Sequence, residues 1–228
     1  MINRHDLIKI KEKINNSILV NNIPNHNVEI VAVTKTFSSE AILAAFEEGI
    51  LNIGENKIQE AEYKFPQLPN LPRLKKRLIG HLQSNKVNKA INLFDTIDTI
   101  DSKKIAQRLD NSLKKANKTK EVLLQVNASK DIAKHGFDLN DQEQMLDVIN
   151  YKHLVVKGLM PIGEFTRDEK KTRKTFILLR QLKDKLNDQL ESDKKLTDLS
   201  MGMSSDFNIA IEEGSTQIRL GTALFGSR

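Results

Sequence analysis

The sequence predicts an α/β fold, a single (β/α)8 TIM barrel over residues 1–228 with an extra helix ahead of the first strand. Three observations predict it: eight short β-rich runs recur along the 228 residues, helical patterns fill the gaps, and no G-x-G-x-x-G follows the first run. Alternating strands and helices, with strands apolar on both faces, call for a parallel sheet covered by helices. The missing glycine motif argues against an open dinucleotide-binding sheet. A chain of this length suits one core, and one domain is expected.

The elements follow in order. Residues 1–22 space Leu7, Ile10, Ile14 and Ile18 by three and four, an amphipathic helix. The first strand is VEIVAVT (28–34), followed by a Ser38 or Ser39 cap and a helix with Ile42, Leu43 and Phe46 on one side. LNIG (51–54), RLIGH (77–81), DTIDTI (95–100), EVLLQVNA (121–128) and LVVKGLM (154–160) are the next five strands. Leu179, Leu182, Leu186 and Leu190 mark a helix before the last two, LTDLSMG (196–202) and TQIRLG (216–221). Gly49 and Gly214 each follow a Glu-Glu pair and precede a strand, as C-terminal caps do. No helix-length segment follows the last strand before Arg228, so the N-terminal helix is expected to take that place in the outer ring.

Composition narrows the function. With no cysteine there is no disulfide framework, thiolate metal site or cysteine nucleophile, which suits a reducing, cytoplasmic setting. His5, His26, His81, His135 and His153 lack metal-ligand spacing, and no metal site is expected from it. The N-terminus has no unbroken apolar stretch, so neither a signal peptide nor a membrane span is expected. The net charge of +6 is spread over helix patterns, with two tyrosines and no tryptophan for base stacking, so nucleic acid is not an expected partner. No apolar surface stripe demands a partner, and a monomer is expected.

In such a barrel the chemistry sits where strands end. Lys35 closes the first strand, Glu55 and Asn56 follow the second and His81 the third. Asn127 follows the fifth, Ser204 and Ser205 the seventh, and Thr222 the eighth. Lys35 follows Val31, Ala32 and Val33, and a lysine at the barrel mouth can add its amine to a carbonyl. Period-two alternation sets Gln217, Arg219 and Gly221 on one face, and an inward arginine needs an acceptor, either a ligand or a buried partner. Gly221, Thr222 and Ser204 offer N–H and hydroxyl groups suited to a phosphate, with Ser204 expected at a helix N-terminus.

Six motifs stand in one order: V-A-V-T-K (31–35), G-E-N-K-I-Q-E (54–60), I-G-H-L-Q-S-N-K (79–86), K-G-L-M-P-I-G (157–163), L-S-M-G-M-S-S-D (199–206) and G-S-T-Q-I-R-L-G-T-A-L-F-G (214–226). Together they make the whole chain resemble the YggS/PROSC family of pyridoxal phosphate homeostasis proteins. The resemblance implies a barrel like the N-terminal domain of alanine racemase (fold type III), with pyridoxal 5'-phosphate (PLP) as a Schiff base on Lys35. It also implies Arg219 at the pyridine nitrogen, Ser204, Gly221 and Thr222 on the phosphate, and Asn56 as a further neighbour. Two departures, Lys57 where the family commonly has tyrosine and Arg77 where an aromatic pair is frequent, bear on the pocket rim.

The resemblance implies a carrier, with PLP-dependent apo-enzymes as recipients and no catalytic residue assigned. An arginine at the pyridine nitrogen weakens the ring as an electron sink, and Tyr63 and Tyr151 fall away from the strand ends. A PLP-dependent amino-acid racemase is the alternative; a cofactor-free Schiff-base aldolase would keep Lys35 and give Arg219 a substrate phosphate. Lys134, in K-H-G-F, is a second amine that could assist release.

Overall fold

The computed structural model describes residues 2–20, 27–128, 134–162 and 168–226, with the side chain of Val20 left aside. Its strands are β1 (Glu29–Val33), β2 (Asn52–Glu55), β3 (Lys75–Leu78), β4 (Thr96–Ile100), β5 (Lys120–Asn127), β6 (Phe137–Asp138), β7 (Leu154–Ile162), β8 (Asp198–Met203) and β9 (Gln217–Leu220). Every pairing is parallel, in the order β4-β3-β2-β1-β9-β8-β7-β5, and β4 also pairs with β5, which closes the sheet into an eight-stranded barrel. The two-residue β6 is an addition, hung on Val126 and Asn127 at the end of β5.

The helices are α1 (Arg4–Val20), α2 (Ser39–Glu47), α3 (Ile58–Lys64), α4 (Val87–Leu93), α5 (Lys103–Ala116), α6 (Gln142–Ile149), α7 (Glu169–Asp188), α8 (Phe207–Glu212) and α9 (Thr222–Phe225). Leu7, Ile10 and Ile14 of α1 are buried, and α1 lies against α8 and α9, filling the place beside the short last helix. Gly49 and Gly214 take φ of +79° and +91°, and the N–H groups of Ile50 and Ser215 donate to the carbonyls of Ala45 and Ala210. That left-handed turn ends each helix without the steric cost a Cβ would bring. Among the described residues no helix is long and apolar enough to cross a membrane.

Neighbouring residues in a parallel ladder point the same way, so register sorts the barrel into two faces. Ala32, Ile53, Ile218 and Leu220 share the outer face and are wholly buried under the helices. Val31, Asn52, Gln217 and Arg219 share the inner one. The apolar core therefore lies between sheet and helices, while the barrel interior is largely polar.

Candidate functional site

β1 leads into a turn in which the Phe37 N–H donates to the Thr34 carbonyl at 3.1 Å, with Lys35 and Thr36 between them. Thr36 has φ of +66°. A β-branched residue in that region carries about 1–3 kcal/mol of strain, so the surroundings must enforce it. Lys64, on α3 and 5% exposed, supplies the enforcement: its Nζ donates to the Thr34 carbonyl at 2.9 Å, to Glu55 Oε1 at 2.9 Å and to Glu60 Oε2 at 3.4 Å. The Thr36 N–H donates to the same Glu60 oxygen at 2.9 Å, and Thr34 Oγ1 donates to Glu55 Oε1 at 2.7 Å. Burial holds the Glu55 carboxyl above its ordinary range, against the hydrogen bonds from Thr34 and Lys64 that pull it down. Its Oε2 is buried without a hydrogen-bond partner among the described residues.

The residues flanking Lys35 come from both neighbouring strands. Val33 pairs with Gly54, so Asn56 stands level with Lys35 on the β2 side, half-buried. On the β9 side, a Cβ at Gly221 would sit 3.6 Å from Val33, and the rings of Phe37 and Phe225 lie 5.0 Å apart. The Ala223 N–H donates to Ser204 Oγ at 3.2 Å, which draws the β8 exit to the first turn of α9. Ser204 is therefore not at the start of α8, as the sequence suggested; Asp206 precedes that helix, with Oδ1 accepting from the Met203 N–H at 2.5 Å. As an acceptor toward Ala223, Ser204 keeps its hydroxyl proton for another partner. Lys35, Asn56, Ser204, Gly221 and Thr222 thus gather on one arc of the barrel mouth.

Arg219 lies deeper, paired in register with Val31 and with Met203. Its Nη1 donates to the Ser200 carbonyl and, at 3.1 Å, to Ser200 Oγ. Burial lowers the guanidinium's proton affinity, and the carboxylates of Asp98 and Asp206 oppose that. The inward arginine anticipated from alternation therefore has buried partners, and these were not legible in the sequence. Arg77 departs from expectation too. It lies inside the barrel, 3% exposed, and not at a pocket rim, because its register with Gly54 and Thr96 turns it inward. Its Nε and Nη2 donate to Asp98 Oδ2 and Oδ1 at 2.7 and 3.2 Å, and Nη1 donates to Asn52 Oδ1 at 3.2 Å. Burial pulls Arg77 down, but the carboxylates of Asp98, Asp198 and Glu29 more than offset it, for a net rise.

Elsewhere on the mouth, His81 Nδ1 lies 2.8 Å from Asp101 Oδ2. Ser84 opens a short 3-10 turn, and α4 starts only at Val87. The Lys134 carbonyl accepts from Asn127 Nδ2 at 3.1 Å, holding that loop to the end of β5. Tyr63 is exposed on α3, and Tyr151 packs against the hydrophobic core. The last residue of the K-G-L-M-P-I-G motif, Gly163, lies outside the described residues.

Comparisons with known proteins agree with this fold. The family model for the alanine racemase N-terminal domain matches residues 6–228. The pyridoxal phosphate homeostasis protein of Pasteurella multocida (strain Pm70) is 36% identical over 226 residues, 98% of this chain and 96% of the relative. The structure of PipY from Synechococcus elongatus PCC7942 with PLP bound matches with a TM-score of 0.81 at 33% identity, over 94% of this chain and 100% of PipY. An alanine racemase of Clostridium difficile 630 matches with a TM-score of 0.76 at 16% identity, over 100% of this chain and 57% of the racemase, a likeness of fold alone. With a family model spanning the barrel and relatives more than one-third identical along its length, the chain belongs to the alanine racemase N-terminal domain family and, within it, to the pyridoxal phosphate homeostasis proteins.

Proposed function

We propose that this protein binds PLP in the mouth of its single-domain barrel, as a Schiff base on Lys35, and keeps the cofactor available inside the cell without turning over a substrate of its own. The observation that carries the reading is the Lys35 turn: a strained backbone held from beneath by Lys64 and Glu60 and set beside the Ser204–Ala223 hydrogen bond. The donor set fits the cofactor's chemistry. Lys35 offers an amine, Arg219 a half-buried cation toward the ring nitrogen, and Asn56 an amide at the ring edge. The hydroxyls of Ser204 and Thr222, with the backbone N–H groups of Gly221 and Thr222, suit a phosphate dianion. Bound PLP supplies an aldehyde that condenses reversibly with amines, with water as the other product. Relatives named as homeostasis proteins and a PipY structure with PLP support the assignment. We place the protein in the cytoplasm as a monomer, with PLP-dependent apo-enzymes as recipients.

Borohydride reduction of the PLP-loaded protein followed by peptide mapping tests the site. The label is expected on Lys35, and Lys35→Ala is expected to lose both label and visible absorption; label on any other lysine overturns the assignment. Turnover is tested separately, by solvent deuterium incorporation into a panel of amino acids. No sustained exchange is expected, and exchange abolished by Lys35→Ala would replace the carrier reading with a racemase.

A further inference from the structure

Three side chains outside the Lys35 set converge on the opposite arc of the mouth. His81 lies in the loop after β3, Asp101 directly after β4, and His135 in the loop after β5, so they stand on three consecutive strands of the barrel. One ligand atom from each lies within 4.8 Å of the other two. His81 Nδ1 is 2.8 Å from Asp101 Oδ2, and the two imidazoles stack with centroids 4.5 Å apart and planes 18° from parallel. Asp101 is 7% exposed, while both histidines are open to solvent.

Each position is anchored by a hydrogen bond from a strand or a neighbouring residue. Thr99 Oγ1, on β4, donates to the Gly80 carbonyl at 2.6 Å and fixes the backbone before His81. Gln125 Nε2, on β5, donates to the His135 carbonyl at 2.7 Å. The second oxygen of Asp101 accepts from Ser102 Oγ at 3.0 Å, which orients the carboxylate. Sites built on strand ends in this way hold their geometry better than sites on free loops.

We propose that His81, Asp101 and His135 form a binding site for a divalent transition metal of the zinc class. Two imidazole nitrogens and one carboxylate oxygen are the donor set such ions take, and the Ser102 hydrogen bond is the outer-shell support that ligating carboxylates usually have. Metal–ligand bonds of about 2.0–2.1 Å put tetrahedral ligand atoms about 3.3 Å apart. The His81 and Asp101 atoms, 2.8 Å apart in their hydrogen bond, part slightly to reach that spacing, and the exposed His135 ring closes on them by a side-chain rotation. Three protein ligands leave a fourth position for water, facing the solvent at the mouth. The site shares no ligand with the Lys35 set and does not depend on the PLP reading.

Equilibrium dialysis of the full PLP-loaded chain against micromolar zinc chloride, with metal counted by atomic absorption, tests it. One zinc per chain is expected. His135→Ala is expected to weaken binding by at least about tenfold, the scale of losing even an outer-shell partner, with the visible PLP absorption unchanged. His135 is exposed, so its removal leaves the fold intact, and retained PLP absorption reports that directly. Asp101→Asn gives a second reading on the same ion. Absence of bound zinc, or a smaller loss in His135→Ala, overturns the proposal and leaves a stacked histidine pair hydrogen-bonded to Asp101.

Discussion

Replacing Arg77 with methionine is expected to destabilise the fold by about 3 kcal/mol, the lower end of the ~3–5 kcal/mol seen when one partner of a buried ion pair is removed. Asp98 is wholly buried and takes both of its arginine hydrogen bonds from Arg77; after the substitution its remaining donor among the described residues is the Thr96 hydroxyl, at 2.9 Å. A polar cavity of about 490 Å³ at the N-terminal end of the barrel touches both residues. Water entering from it would rehydrate part of the orphaned carboxylate, which is why the lower figure is chosen. Urea unfolding provides the check, with the midpoint falling by roughly 1 M or more for a slope of about 2–3 kcal/mol/M. The double change Arg77→Met with Asp98→Leu is expected to recover most of the loss, because removing both charges also removes the desolvation cost. A single variant as stable as the original would show that the pair contributes nothing.

Lys64→Met is expected to cost a further ~3–5 kcal/mol by the same physics, and to reach the candidate site as well. The substitution deletes the donor to the Thr34 carbonyl that holds the strained Lys35 turn, and leaves Glu55 with Thr34 Oγ1 as its remaining donor among the described residues. PLP retention on dialysis should therefore fall along with stability. The pH dependence has a definite sign. Burial raises the folded pKa of Glu55 above its unfolded value. Its stabilising contribution is thus fully present below the unfolded pKa and is lost as pH rises through the folded one. Unfolding followed upward in pH from the unfolded glutamate pKa, about 4.3, should show this fall in the original protein, flatten in Glu55→Gln and steepen in Lys64→Met. A Glu55→Gln profile that parallels the original would remove Glu55 from the account.

The order of elements was legible because it rests on local periodicity. All eight barrel strands lie on or beside the runs read from the sequence, and α1 takes the ring position that counting assigned to it. The limits of the strands were less legible. RLIGH reads as a strand through His81, yet β3 stops at Leu78. At Gly80 the chain crosses so close to Asn56 that a Cβ would run into its carbonyl, so the strand must leave the sheet there. β6 is two residues long, too short to carry a period.

Lys35 was singled out by its place after an apolar run and by the motifs around it, and Arg219 by alternation and by the last of those motifs. What surrounds them was not legible. Glu60 and Lys64 are one helical turn apart, a spacing that signals an ion pair, but nothing local says that Lys64 lies buried beneath the Lys35 turn. The Arg77–Asp98 pair and the His81, Asp101 and His135 group join residues on different strands.

The sequence by itself determined the strand and helix order, the inward face of β9 and the position of Lys35, because each follows from side-chain periodicity and local motifs. Tertiary structure alone decided which charges meet. Barrel closure and register bring distant residues to one level of the interior, and burial there makes each pairing energetically binding. The conformation at Thr36, the partners of Arg219 and the grouping at His81 all come from that closure.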